Sequence, residues 1–156
     1  MRTIRKILYP TDFSEHSLSA FSYAREMAAK FAAQLHCLHV LDDTHFQWMT
    51  VNEAGLGVDM KEHDFYKLAQ VQMDKFLKEH FDLSSDQPET HIIQGRPFLE
   101  IIKYARSNKI DLIVMATHGH GALSSMFLGS VAEKVVRKAP CAVLTVRHPD
   151  HKFETP

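Results

Sequence analysis

Short apolar runs alternate with longer stretches whose apolar residues recur at helical spacing. Residues 4–10, 35–40 (LHCLHV), 89–94, 111–117 and 141–146 (CAVLTV) read as strands. Residues 14–33, 61–81, 97–108 and 129–138 read as helices. In the first helix Leu18, Phe21, Met27, Ala28 and Phe31 fall on one face. In the second the core candidates are Phe65, Leu68, Ala69, Phe76 and Leu77, and in the third Phe98, Ile101, Ile102 and Ala105. Thr11, Asp12 and Ser14 offer N-cap oxygens to the first helix, and Pro97 opens the third.

Strands that alternate with helices imply a parallel sheet with right-handed crossovers. The runs at 111–116 and 141–146 show little polar alternation, as expected of strands covered on both faces. The expected fold is α/β: a single doubly wound, five-stranded parallel sheet with helices on both faces. It occupies residues 1–147, and the polar residues 148–156 form a loose tail. The last strand is expected at a sheet edge. Residues 42–58 lack periodicity and carry Phe46 and Trp48, which suggests either a mobile flap or a loop pinned on the surface by Trp48.

Composition narrows the function. The 156 residues suit one domain, and apolar and charged shares of 45% and 24% are those of a globular protein. A net charge of -1 without a basic cluster argues against nucleic acid. No apolar run reaches the roughly 20 residues of a membrane span. The two cysteines, Cys37 and Cys141, form no CxxC pair and lie in apolar runs, which suits reduced thiols in the cytoplasm.

The informative stretch is HGHGALSSMFLGS, residues 118–130, between the fourth strand and the last helix. It is not a Walker loop, because the chain has no Gly-Lys pair, nor a GxGxxG fingerprint, because the third position is Ser124. Gly119, nine residues, then Gly129 and Ser130 does suit an anion. Glycine lets backbone approach closely, and the helix that follows presents unpaired N–H groups. A plain turn with Ser130 as cap fits the same spacing. Eleven histidines raise the question of a metal. His36 and His39 project from opposite faces of a strand, and no carboxylate or cysteine completes a set, so no metal site is expected from protein side chains. Nothing resembles a nucleophile with a positioned base, and no catalytic residue is assigned.

The chain resembles the universal stress protein family in ILYPTDFSEHS at 7–17, GRP at 95–97, DLIVMATHGH at 111–120 and LGSVAEKVVRKAPCAVLTV at 128–146. The resemblance implies a Rossmann-like fold of the adenine-nucleotide α-hydrolase type. It also implies a G-x2-G-x9-G-[S/T] motif, here Ala116, Gly119, Gly129 and Ser130, with alanine in the first position. The ligand it implies is ATP or another adenosine phosphate, with Mg or Mn held by the phosphates. The implied site comprises Pro10, Thr11, Asp12, Val40, Met115, Ala116, Gly119, Gly129, Ser130 and Val131. Asp12 would approach the ribose or adenine, Val40 would offer backbone to the adenine edge, and Met115 would pack near the base. The remaining implications are a stress-response or signalling role, at most slow ATP hydrolysis, and a homodimer joined through strand 141–146. The alternative is a family member that acts through protein contacts without nucleotide.

Overall fold

A computed structural model describes residues 3–42, 62–81, 87–118 and 128–147. Gly119, His120, the 42–58 connector beyond Asp42 and the 148–156 tail lie outside the described residues. Five strands and four helices alternate: β1 (Lys6–Pro10), α1 (Glu15–Phe31), β2 (Gln34–Asp42), α2 (Glu62–His80), β3 (Glu89–Gly95), α3 (Pro97–Ser107), β4 (Leu112–Ala116), α4 (Ser130–Lys138) and β5 (Ala142–Val146). All strand pairs are parallel, in the order β3-β2-β1-β4-β5. This is the expected doubly wound sheet, and β5 is an edge strand.

Strand alternation divides the core. Ile7, Tyr9, Cys37, Val114 and Ala116 pack on one face with Ala20, Phe21 and Ala24 of α1 and with Met73 and Phe76 of α2. Leu8, Leu38, Ile113 and Met115 pack on the other with Ile101, Tyr104 and Ala105 of α3 and with Ala132 and Val135 of α4. Asp111 ties the starts of β1 and β4 together, its Oδ2 accepting from the Arg5 and Lys6 amides at 2.8 and 3.0 Å.

Two expected core residues are exposed. Leu68 is 52% exposed, because the buried stripe of α2 runs through Ala69, Met73 and Phe76 and leaves Leu68 one position off it. Phe31 is 46% exposed at the last turn of α1. That helix stops short of residue 33 because Ala32 turns left-handed at φ 49°. The Ala33 N–H then closes on the Ala28 carbonyl at 2.9 Å. Between β3 and α3, Gly95 takes φ 151°, a conformation that favours glycine.

Candidate functional site

The ladder between β1 and β4 stops early. Its rungs are Ile7 with Leu112 and Leu8 with Ile113, although β1 continues to Pro10 and β4 to Ala116. The sequence supplies the reason. The Lys6 carbonyl accepts from the Asp111 amide at 3.0 Å. By strand alternation the backbones of Leu8 and Pro10 therefore face β4 as well. Pro10 has no N–H, so the next rung lacks its donor. The strand order also reverses here, since the chain leaves β1 for β2 on one side while β4 lies on the other. Ligands of open α/β sheets bind at such a point, beyond the carboxyl ends of the strands.

The other flank of β1 opens in a related way. The Thr11 amide donates to the Leu38 carbonyl at 2.9 Å, and the last rung between β1 and β2 pairs Pro10 with Leu38. Two residues further on, the Val40 backbone N–H and carbonyl face the same side, past the end of β1. The Val40 side chain packs on the α3/α4 face of the sheet, and Met115 is buried there. The Met115 side chain thus belongs to the core and that of Val40 is partly buried against it, while the Val40 backbone is turned toward the open flank of β1.

The turn after β1 is held from within. Thr11 is buried, and its Oγ1 accepts from the Phe13 amide at 3.0 Å and lies 3.0 Å from the Ser17 hydroxyl. Phe13 takes φ 60°, a left-handed backbone for which that hydrogen bond compensates. Of the three cap candidates, Ser14 caps α1, accepting from the Ser17 amide at 3.2 Å. Asp12 supports the cap, its Oδ1 accepting from the Ser14 amide at 3.0 Å and from the Ser14 hydroxyl. His39 Nδ1 lies 2.8 Å from the Thr11 carbonyl, and its ring packs 4.6 Å from that of Phe13.

On the β4 side, the Thr117 amide donates to the Val146 carbonyl at 2.9 Å, and Thr117 Oγ1 lies 2.9 Å from His118 Nδ1. The Gly129 amide then donates to the Thr117 carbonyl at 2.7 Å. Gly129 is the N-cap of α4 with φ -68° and ψ 156°, angles open to any residue. Contact, not conformation, calls for glycine: an added Cβ would lie 2.9 Å from the Thr117 carbonyl oxygen and 3.5 Å from His118 Cα. The start of α4 is thereby docked against the end of β4. The amides of Ser130, Val131 and Ala132 have no partner within the helix, and Gly129 brings no side chain to cap them. They form the positive end of the helix dipole. Ser130 is exposed, and Val131 packs partly into the α3/α4 cluster.

Ala116 is the last residue of β4 and pairs with Val146. It is extended rather than left-handed, and it is buried among Ile7, Val114 and Val146. Alanine therefore carries no backbone strain in the first motif position. Burial pushes the Cys37 thiol up to about 12, and it raises the Cys141 thiol as well, helped by Asp111. Glu133 lies on the exposed face of α4, 3.5 Å from Arg137.

At the opposite end of the sheet the register supplies what was missed in the sequence. His36 and His39 do face apart, but His36 of β2 stands beside Glu89 of β3, and His91 follows on the same face. The three side chains offer ligand atoms within 4.8 Å of one another. A carboxylate thus joins two histidines after all. The readable signal was Glu89-Thr90-His91, whose first and third residues share one strand face.

A five-stranded parallel sheet whose strand order reverses between β1 and β4, with helices on both faces, defines a Rossmann-like α/β protein. The universal stress protein family model matches residues 3–147, and the chain belongs to that family. It is 34% identical over 152 residues to universal stress protein MJ0531 of Methanocaldococcus jannaschii, covering 93% of this chain and 83% of that one. Among solved structures, protein MJ0577 superposes with a TM-score of 0.79 at 31% identity, covering 96% of this chain and 99% of that one. Universal stress protein UspA of Lactobacillus plantarum superposes at 0.70 and 30%, covering 94% and 100%. Two more distant proteins of this fold were solved with adenosine phosphates. One, at 22% identity and a TM-score of 0.62, holds cAMP and covers 94% of this chain and 98% of that one. The other, from Archaeoglobus fulgidus at 18% and 0.59, holds dAMP and covers 93% and 98%.

Proposed function

We propose that the protein binds an adenine nucleotide, ATP in the first instance, in the crevice between the ends of β1 and β4. The observation that carries this reading is the ladder that stops at Leu8 and Ile113, with the start of α4 docked beside it on the Thr117 carbonyl. Relatives of the same fold that hold cAMP and dAMP support an adenosine phosphate as the ligand class. In this reading the phosphates meet the Ser130 hydroxyl and the amides of Ser130 and Val131. Gly119 is carried over from the family motif as a further phosphate neighbour, and Mg2+ or Mn2+ is carried by the phosphates. The adenine edge lies along the Val40 backbone, Asp12 stands at the ribose, and Pro10, Thr11, Met115 and Ala116 form the floor. The protein then acts as a cytoplasmic stress-response or signalling module, as a homodimer joined along β5.

The test is direct. Protein purified without a tag is denatured, any retained nucleotide is identified by mass spectrometry, and ATP, AMP and cAMP are titrated calorimetrically. The expected result is ATP binding that weakens in Ser130→Ala by about fivefold, the worth of one hydrogen bond of about 1 kcal/mol. Phosphate release in the same samples reads any slow hydrolysis. Absence of both retained nucleotide and binding heat overturns the reading. It would favour a module that works through protein contacts, in keeping with the methyl group of Ala116 where the family motif has glycine.

A further inference from the structure

His36 is not an ordinary core residue. It is 0% exposed, and its Nε2 finds no hydrogen-bond partner among the described residues. The ring is aimed through Nδ1 at a polar group of side chains on the α3 face of the sheet. Nδ1 lies 2.9 Å from the Tyr104 hydroxyl and 3.3 Å from Glu89 Oε2. Glu89 Oε2 lies in turn 3.7 Å from His91 Nε2. The rings of His36 and His91 are nearly parallel, 15° apart, and Tyr104 packs 5.0 Å from His91. Gln34 donates to the other Glu89 oxygen, Oε1, which leaves Oε2 turned to the histidines.

The geometry points to a divalent transition-metal site of the zinc class, held by His36 Nδ1, Glu89 Oε2 and His91 Nε2. Zinc bonds of about 2.0–2.2 Å at tetrahedral angles put ligand atoms roughly 3.3–3.6 Å apart. The observed 3.3 and 3.7 Å lie close to that spacing, and the third pair, His36 Nδ1 and His91 Nε2, is within 4.8 Å, so the half-exposed His91 ring swings inward to complete the site. Two imidazoles and one carboxylate form a borderline donor set that suits zinc better than magnesium or calcium. Glu89 and His91 are about half-exposed, with side chains 45% and 42% accessible, so the ion has an entry path and water completes the coordination. The Gln34 contact orients the carboxylate, as groups behind metal ligands commonly do. The backbone needs no movement, because the rung between His36 and Glu89 already brings both strands together. Bound metal would fasten edge strand β3 to β2. The site lies near the start of β2, and Val40 is four residues, about 13 Å, further along that strand, so it is independent of the nucleotide crevice.

The test uses full-length, tag-free protein stripped with a chelator. Co2+ is titrated while the visible absorption of four-coordinate cobalt is followed, and Zn2+ is titrated calorimetrically. One equivalent is expected to bind and to raise the thermal midpoint. His91→Ala and Glu89→Gln, both at partly exposed positions, should fold and lose at least about tenfold in affinity. His16→Ala and His63→Ala, exposed histidines away from the cluster, should bind as wild type does. Absence of a one-equivalent phase overturns the proposal. So does unchanged affinity in both His91→Ala and Glu89→Gln, which would put the ion on other histidines. Loss in His16→Ala or His63→Ala equal to that in His91→Ala also counts against it.

Discussion

Gly129 donates to the Thr117 carbonyl at 2.7 Å, and a β-carbon on Gly129 would stand 2.9 Å from that same oxygen. One contact thus explains both the glycine and the placement of α4. Gly129→Ala is expected to push the start of α4 away from β4 and to destabilise the protein by about 1–3 kcal/mol, as overpacking does. Urea denaturation of the nucleotide-free protein measures this. A loss under about 0.5 kcal/mol would show that the loop shifts at little cost. Because this loss precedes any ligand effect, Ser130→Ala is the cleaner probe of phosphate binding.

Along β5 the outward groups are now assigned. Thr117 donates to the Val146 carbonyl, so the backbones of Ala142, Leu144 and Val146 face β4, while those of Val143 and Thr145 face away from the sheet. If two copies pair along this edge, Val143→Pro removes an intersubunit donor. It should give a folded monomer in light scattering. Leu144→Pro instead breaks the ladder to β4 and should lower the thermal midpoint. A Val143→Pro protein that stays dimeric would move the interface elsewhere.

Ala116 is extended and packed, so glycine there relieves no strain. Ala116→Gly loses a buried methyl and gains freedom in the unfolded chain, together about 1–2 kcal/mol of destabilisation. ATP affinity, measured calorimetrically in both proteins, should agree within about threefold. A tenfold gain in the variant would show instead that the methyl group crowds the phosphates.

Tyr9 is fully buried, and its hydroxyl donates to the Ser17 carbonyl at 2.9 Å. Burial pushes its ionisation up to about 12, with Thr11 and Ser17 opposing through hydrogen bonds. In the unfolded chain a tyrosine ionises near 10. The folded state therefore holds the proton more tightly, and this contribution to stability is complete below about pH 10 and is lost as pH rises through about 12. Urea midpoints across that alkaline range should fall. Tyr9→Phe should show a shallower fall and cost about 1 kcal/mol at neutral pH. Some slope will remain, because burial lifts Tyr104 to about 12 as well. An identical pH slope in wild type and variant would remove Tyr9 from the effect.

The order of elements, the parallel sheet and the start of α4 were legible in the sequence because each rests on local chemistry. Periodicity separates strand from helix, Ser14 and Pro97 mark helix starts, and a proline with no N–H ends β1. The buried stripes were read less well at Leu68 and Phe31, where the last increment of rotation, or the position of a helix end over the sheet, decides burial. Tertiary structure alone decided the rest. Strand order placed β1 beside β4 and so made a crevice of two separate turns. The contact between Gly129 and Thr117 spans 12 residues of chain, and no local rule distinguishes it from a plain turn. Which N–H groups of β5 face outward depends on the register with β4, and a one-residue slip would invert the answer. His36 and Glu89 stand 53 positions apart in the chain, and only the β2–β3 register sets them side by side. Local residue types determine what a segment can become, but the meeting of distant side chains follows from pairing and packing, which are properties of the whole sheet.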